Sequence, residues 1–444
     1  MAASGLHGSA ETSVLDEEAV RRRTLRKAAL RLIPLLSICY VVAYMDRANV
    51  SFAALQMNHD LGFNAGVYGF GAGVFFVSYA ACELPSNFLL LKFGARRWIA
   101  RIMLTWGLLA GAMMFVRSPA TFYTLRFLLG MAEAGFFPGV IYYLSLWFPQ
   151  EYRARAVSRF YIAFPLANVL MGLVAGSLLN LNGRLGLKGW QWLFLVEALP
   201  AIVLSAVVWV VLPDGPGTAK WMLPEEREWL LGRLREDSIK IEASGGHLGH
   251  GGLLETLKDR RVLFIGLFFF LTLGSFYSFS FSAPAIFKAV TGWSTNGAGT
   301  LIAAIALVGA AGMLGVSVHS DRRQVKVPYV VALSLTMATA FLVSGLVTTP
   351  WMVIAALAVA SVSYYSLQGP ALSLSTTFLD GASAAVGIAA INMLSIIGGF
   401  VGPNWMAWSI THTGGTRIGV GLLSVPCAVA AGLILFVKRK RVAE

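Results

Sequence analysis

Residues 30–52 read LRLIPLLSICYVVAYMDRANVSF. As a helix rising about 1.5 Å per residue, this run is long enough to cross a hydrocarbon layer of ~30 Å. Its far half nevertheless carries Asp46 and Arg47 side by side. A charged side chain at the centre of a membrane helix costs about 2.5–3.5 kcal/mol on insertion scales, so this pair needs partners on other helices. The rest of the chain supplies them in the same medium. Of 444 residues 57% are hydrophobic and only 13% charged, more apolar surface than a soluble fold of this size can hide. The first 28 residues are polar, and no small-residue cleavage site follows the run, so a retained first helix is expected rather than a removed leader.

Apolar runs place twelve membrane helices near 30–52, 66–91, 98–116, 120–148, 155–181, 190–212, 262–288, 297–319, 327–347, 350–378, 384–410 and 416–437. The expected fold class is therefore all-α and polytopic, with two six-helix bundles at 30–212 and 262–437. A polar N-terminal segment (1–29), a linker (213–261) and a tail (438–444) complete the layout. The net charge of +13 follows this topology. With the N-terminus cytoplasmic, 28 of the 35 Lys and Arg residues belong to inner segments and five to outer loops, leaving Arg47 and Arg126 within helices. The basic balance thus reports orientation in an inner or plasma membrane, with both termini cytoplasmic, and not nucleic-acid binding. Segment 14–31, with Arg21-Arg22-Arg23 and Arg26-Lys27, reads as a helix lying on the anionic inner surface.

Several features read as structural. Cys39, Cys82 and Cys427 sit in apolar runs as small packing residues. His247 and His250, within the Gly-rich run 245–252, have no third ligand nearby, so a flexible loop is expected and no metal. Pro224-Glu225-Glu226 opens a short amphipathic linker helix. The chain has no nucleophile elbow, His/Asp metal cluster or nucleotide loop. That excludes the common enzyme classes and a bound cofactor, and leaves an ion gradient as the energy source.

Four intramembrane charges carry the functional signal: Asp46, Arg47, Arg126 and Glu133. Asp46 lies 14 residues beyond Leu32, about 21 Å in, and Arg126 enters its own inward-running helix about 9 Å, so the two share a depth and could pair. Glu133 lies two turns beyond Arg126, near the midplane beside Leu129, Phe136 and Phe137. That setting suits a group that binds and releases a proton. The C-terminal half offers no deep charge, only neutral groups such as Tyr277, Tyr364, Tyr365, Gln368, Asn392 and Asn404. An anion held by arginines on one side and by hydroxyls or amides on the other fits this asymmetry. Glu83, beside Pro85, reads as structural, and Glu197 as a supporting partner.

Several segments resemble signatures of the anion:cation symporter family of the major facilitator superfamily: Tyr44-Met45-Asp46-Arg47-Ala48-Asn49, Glu83-Leu84-Pro85-Ser86-Asn87, Gly94-Ala95-Arg96-Arg97-Trp98, Arg126-Phe127-Leu128-Leu129-Gly130, Glu133-Ala134-Gly135-Phe136-Phe137-Pro138-Gly139 and Leu212-Pro213-Asp214. The resemblance, spanning about 28–437, implies that Asp46 and Glu133 take protons while Arg47 and Arg126 meet a substrate carboxylate. It also implies that Tyr44 and Tyr79 line the cavity and that Asn392 reaches in from the eleventh helix. Arg96, Arg97, Asp321 and Arg322 would form the cytoplasmic gates, although Leu91 replaces the usual acid of the first. Gly369-Pro370-Ala371-Leu372 stands where bacterial members commonly show Gly-Pro-Phe-Trp, and the antiporter signature of the fifth helix is absent, which favours symport. The expected function is proton-coupled uptake of a small organic carboxylate such as tartrate, a sugar acid or an aromatic acid, by a monomer in a lipid bilayer. The alternative is an organic anion exchanger or exporter on the same fold.

Overall fold

The computed structural model describes residues 4–243, 259–323, 325–378 and 383–436. The Gly-rich run with its two histidines, residues 253–258 of the linker and the basic tail lie outside the described residues.

In the N-terminal half, helices α1 (Ser4–Leu61), α2 (Ala65–Phe93), α3 (Ala95–Ala112), α4 (Pro119–Glu133), α5 (Phe136–Ser145), α6 (Gln150–Tyr161), α7 (Ala163–Leu179) and α8 (Gly189–Val211) form one bundle. Linker helix α9 (Pro224–Ala243) follows. A second bundle contains α10 (Arg260–Ser280), α11 (Ala283–Thr291), α12 (Thr295–Arg323), α13 (Val327–Leu346), α14 (Pro350–Phe378), α15 (Ser383–Thr413), α16 (Thr416–Leu422) and α17 (Ser424–Phe436). Among the described residues, eleven helical segments are long and apolar enough to cross a membrane. The 31-residue α15 is a twelfth long helix, about 46 Å end to end.

Four expected helices are pairs instead. The span expected at 120–148 breaks after Glu133, because Gly135 adopts a left-handed φ of +87°. A side chain there would also collide with Ser86, since a Cβ on Gly135 would sit 2.2 Å from its Oγ. The fifth span divides at Ile162, the seventh ends at Ser280 before α11, and the twelfth divides at Leu423 between α16 and α17.

The bundles meet through α2 against α15 and α7 against α12. At the second contact a Cβ on Gly172 would lie 2.4 Å from the Gly299 carbonyl, so only glycine allows this approach. The Gly172–Gly299 approach, Gly69 on Pro403 and Tyr68 donating to the Phe281 carbonyl (2.8 Å) lie at the end away from the linker. Toward the linker the bundles part around a cavity.

Segment 14–31 is not a separate surface helix: α1 continues through it without interruption. The cause is an acidic partner. Lys27 Nζ donates to Glu226 at 2.8 and 3.0 Å, and Arg23 pairs with Glu225 and with Glu226 (2.9 Å). Arg31 stacks on Trp221, which in turn stacks on Trp147 at 5.4 Å. Arg23 and Lys27 are thus engaged by α9, while Arg21 and Arg22 pair with Glu18 of α1 itself. Burial opposes the charge of Glu226, but the Lys27 ammonium and the Leu223 N–H hold its carboxyl below the usual carboxylate range. Because the folded value is depressed, the contact contributes at neutral pH and is lost as pH falls through that value. The expected result is that α9 detaches from α1 only in acid, and that Glu226→Gln detaches it at pH 7. Fluorescence distances between labels on the two helices check this, and an unchanged distance in the variant counts against it.

Candidate functional site

The α4–α5 break places Glu133 on the last turn of α4, facing α1. Its Oε1 accepts from Arg47 Nε at 2.8 Å and pairs with Nη2 at 2.7 Å, while Oε2 has no partner among the described residues. Glu133 is fully buried and Arg47 nearly so. Three aromatic rings hold the guanidinium, with its Cζ 4.9 Å from Tyr79, 5.0 Å from Tyr44 and 5.6 Å from Phe75. Two fixed contacts and three rings leave the planar group little freedom, an arrangement an ammonium could not reproduce.

The expected pairing of Asp46 with Arg126 is not formed. Arg126 instead donates from Nε to the Gly71 carbonyl and from Nη2 to the Ala72 carbonyl, each at 3.2 Å, and stacks on Phe75 at 4.8 Å. The small-residue face of α2 (Gly69, Gly71, Ala72, Gly73) exposes backbone oxygens closer to Arg126 than Asp46 is. Asp46 accepts from Asn49, one turn away, at 3.0 Å, and its Oδ2 has no partner among the described residues. Buried Glu197, on α8, has Asp46 and Asn49 as its polar neighbours.

Between the bundles lies a cavity of about 430 Å³, a size suited to a small organic molecule. Tyr44, Arg47, Tyr79, Gln368 and Asn392 line it. Asp46, Arg126 and Glu133 do not; they stand behind its wall. On the opposite wall stand Tyr277 and Tyr364, and Tyr364 stacks at 3.8 Å and 7° on Phe276 behind it. Asn404 is spent on the Phe400 carbonyl (2.8 Å).

Glu83, read from the sequence as structural, also has a place at the cavity. It lines the cavity, and its Oε1 accepts from Asn392 Nδ2 at 2.6 Å, a hydrogen bond between the two bundles. The signal was present in the spacing: Glu83 is four residues from Tyr79, on the same face of α2.

At the linker end, Arg96 is held by Asp214 (3.0 Å) and reaches the Trp209 carbonyl, so its contacts lie within its own bundle. Arg97 and Arg322 are exposed. Asp321 accepts from Lys326, which shows that the second loop closes on its own lysine.

Compared with known proteins, residues 36–403 match the family model described as Major Facilitator Superfamily. The chain belongs to that superfamily. Its relatives include a protein named "Putative tartrate transporter" from Agrobacterium vitis, 41% identical over 94% of this chain and 92% of the relative. Another is named "Quinolone resistance transporter", from Acinetobacter baumannii, at 40% over 93% of each. Among solved structures, an inward-facing, unoccupied bacterial homolog of the human lysosomal transporter Spinster superposes with a TM-score of 0.73. At 16% identity it covers 92% of this chain and 96% of that one, a likeness of fold. This facilitator is a multi-span membrane transporter and not an enzyme.

Proposed function

We propose that this transporter carries a small organic carboxylate into the cell together with protons. One observation carries the reading. Among the described residues the interior around the cavity holds four carboxyls, on Asp46, Glu83, Glu133 and Glu197, against two guanidiniums, on Arg47 and Arg126. With all six ionised the site is already anionic, and an added anion in so dry a setting requires protons to enter with it. Arg47 on the cavity wall meets the substrate carboxylate, and Tyr44, Tyr79, Gln368 and Asn392 surround the remainder. Arg126 joins only in a conformation that releases it from Gly71 and Ala72. Asp46 and Glu133 take and return the protons, and Arg96, Arg97, Asp321 and Arg322 take part in closing the cytoplasmic side. With the termini cytoplasmic, the described conformation opens inward.

The relative named for tartrate supports a hydroxylated acid as cargo. The relative named for quinolone resistance, together with the aromatic cavity wall, supports a second reading, export of an organic anion. Uptake of labelled tartrate, gluconate and phthalate into proteoliposomes separates the two. Under the first reading, one of these acids accumulates when the outside is acidic, and a protonophore abolishes the accumulation. Accumulation that ignores the pH gradient, or movement in the opposite direction only, overturns it.

A further inference from the structure

Arg47 and Glu83 are the charged groups among the described residues lining the cavity, and they stand at different depths. The Arg47 guanidinium lies over the Tyr79 ring at 4.9 Å. Glu83 follows Tyr79 by one turn of α2, about 6 Å further toward the linker. It is only 8% exposed, one of its oxygens is taken by Asn392 of α15, and the other has no hydrogen-bond partner among the described residues. A small acid anchored at Arg47 therefore directs its other end at Glu83.

The surroundings do not soften that encounter. From α1 the charged group facing Glu83 is Arg47, already bound to Glu133 of α4. Arg126 of α4 turns to the Gly71 and Ala72 carbonyls, three turns away along α2. The other helices packed on α2 direct their polar groups elsewhere: Arg101 of α3 stacks on Trp98 and Tyr143 of α5 donates to the Pro213 carbonyl. α15 contributes the neutral Asn392.

Building on the carboxylate reading of the cavity, we propose that Glu83 is a charge filter at its linker end. A substrate with one carboxylate is accepted with Glu83 ionised, whereas one with a second carboxylate at the far end binds only when Glu83 carries a proton. Two carboxylates facing each other in a low-dielectric cavity repel strongly, and one shared proton converts that repulsion into a hydrogen bond. Diacids thus bind with one proton more than matched monoacids.

The test compares each diacid with its monoamide, which has the same shape and one charge fewer: tartrate with tartaramate, succinate with succinamate, phthalate with phthalamate. Affinities for purified protein are measured by calorimetry between pH 7 and 8.5, where each diacid is essentially fully ionised. The diacid should lose affinity relative to its amide as pH rises, by a factor approaching tenfold per pH unit, because one extra proton is bound. In Glu83→Gln, which keeps an oxygen to accept from Asn392, this extra dependence should vanish and the diacid should bind at least tenfold better at pH 8. Equal pH slopes within a pair in the wild type, or an extra slope that survives Glu83→Gln, overturns the filter while leaving the carboxylate site intact. If no member of any pair binds, the carboxylate reading itself fails, and the filter with it.

Discussion

Glu133→Gln is expected to abolish accumulation of substrate against its gradient while leaving exchange across the membrane within a few-fold of wild type. The amide oxygen of the variant still accepts from Arg47, which sits 2.8 Å (Nε) and 2.7 Å (Nη2) from Glu133 Oε1, so the binding wall keeps its shape. What the variant cannot do is take up and release a proton. The partnerless Oε2 marks the atom where protonation disturbs no existing hydrogen bond. Under the proposed function, protonation there would withdraw charge from Arg47 and free it for a substrate carboxylate, linking the two ligands through a single guanidinium. Counterflow in preloaded proteoliposomes beside uphill uptake under a pH gradient provides the measurement. Accumulation by the variant at the wild-type level removes Glu133 from the coupling step.

Arg47→Lys is expected to weaken substrate binding by more than tenfold, at least about 1.4 kcal/mol, although the charge is kept. A lysine ammonium cannot span the Glu133 oxygen and a substrate carboxylate while stacking on Tyr44, Phe75 and Tyr79 as the planar group does. Arg126→Lys provides the contrast. Its guanidinium is spent on two buried carbonyls that tie α4 to α2, and hydrogen bonds to a charged donor contribute about 1.5–3 kcal/mol each. That variant should lower the melting temperature more than it lowers affinity. Calorimetric binding and thermal unfolding on the same purified samples separate the two arginines. Equal affinity losses would mean that Arg126 reaches the substrate in the bound state.

The spans and the presence of buried charges at residues 46, 47, 126 and 133 were legible in the sequence because each rests on a local rule. Hydrophobic runs of membrane length can only be helices, and charges inside them need partners. The α4–α5 break was hidden, although Gly135 and Pro138 stood in plain view, because a glycine in an apolar run is equally compatible with close helix packing. Here the left-handed φ and the crowding of Ser86 decide for a break.

The sequence by itself determined that this is a membrane transporter with a charged N-terminal bundle facing a neutral, hydroxyl- and amide-rich C-terminal one. The choice of partners belonged to the tertiary structure. Depth along a helix, read at 1.5 Å per residue, made Asp46 and Arg126 candidates for each other, but it says nothing about how far apart two helices stand or which way their faces turn. The glycines of α2 brought its backbone oxygens to Arg126, the break after Glu133 turned that acid to Arg47, and α15 placed Asn392 against Glu83 across 309 positions of sequence. Hydrogen bonds and ion pairs form or fail over about an ångström, and that distance is set by helix packing rather than by order along the chain.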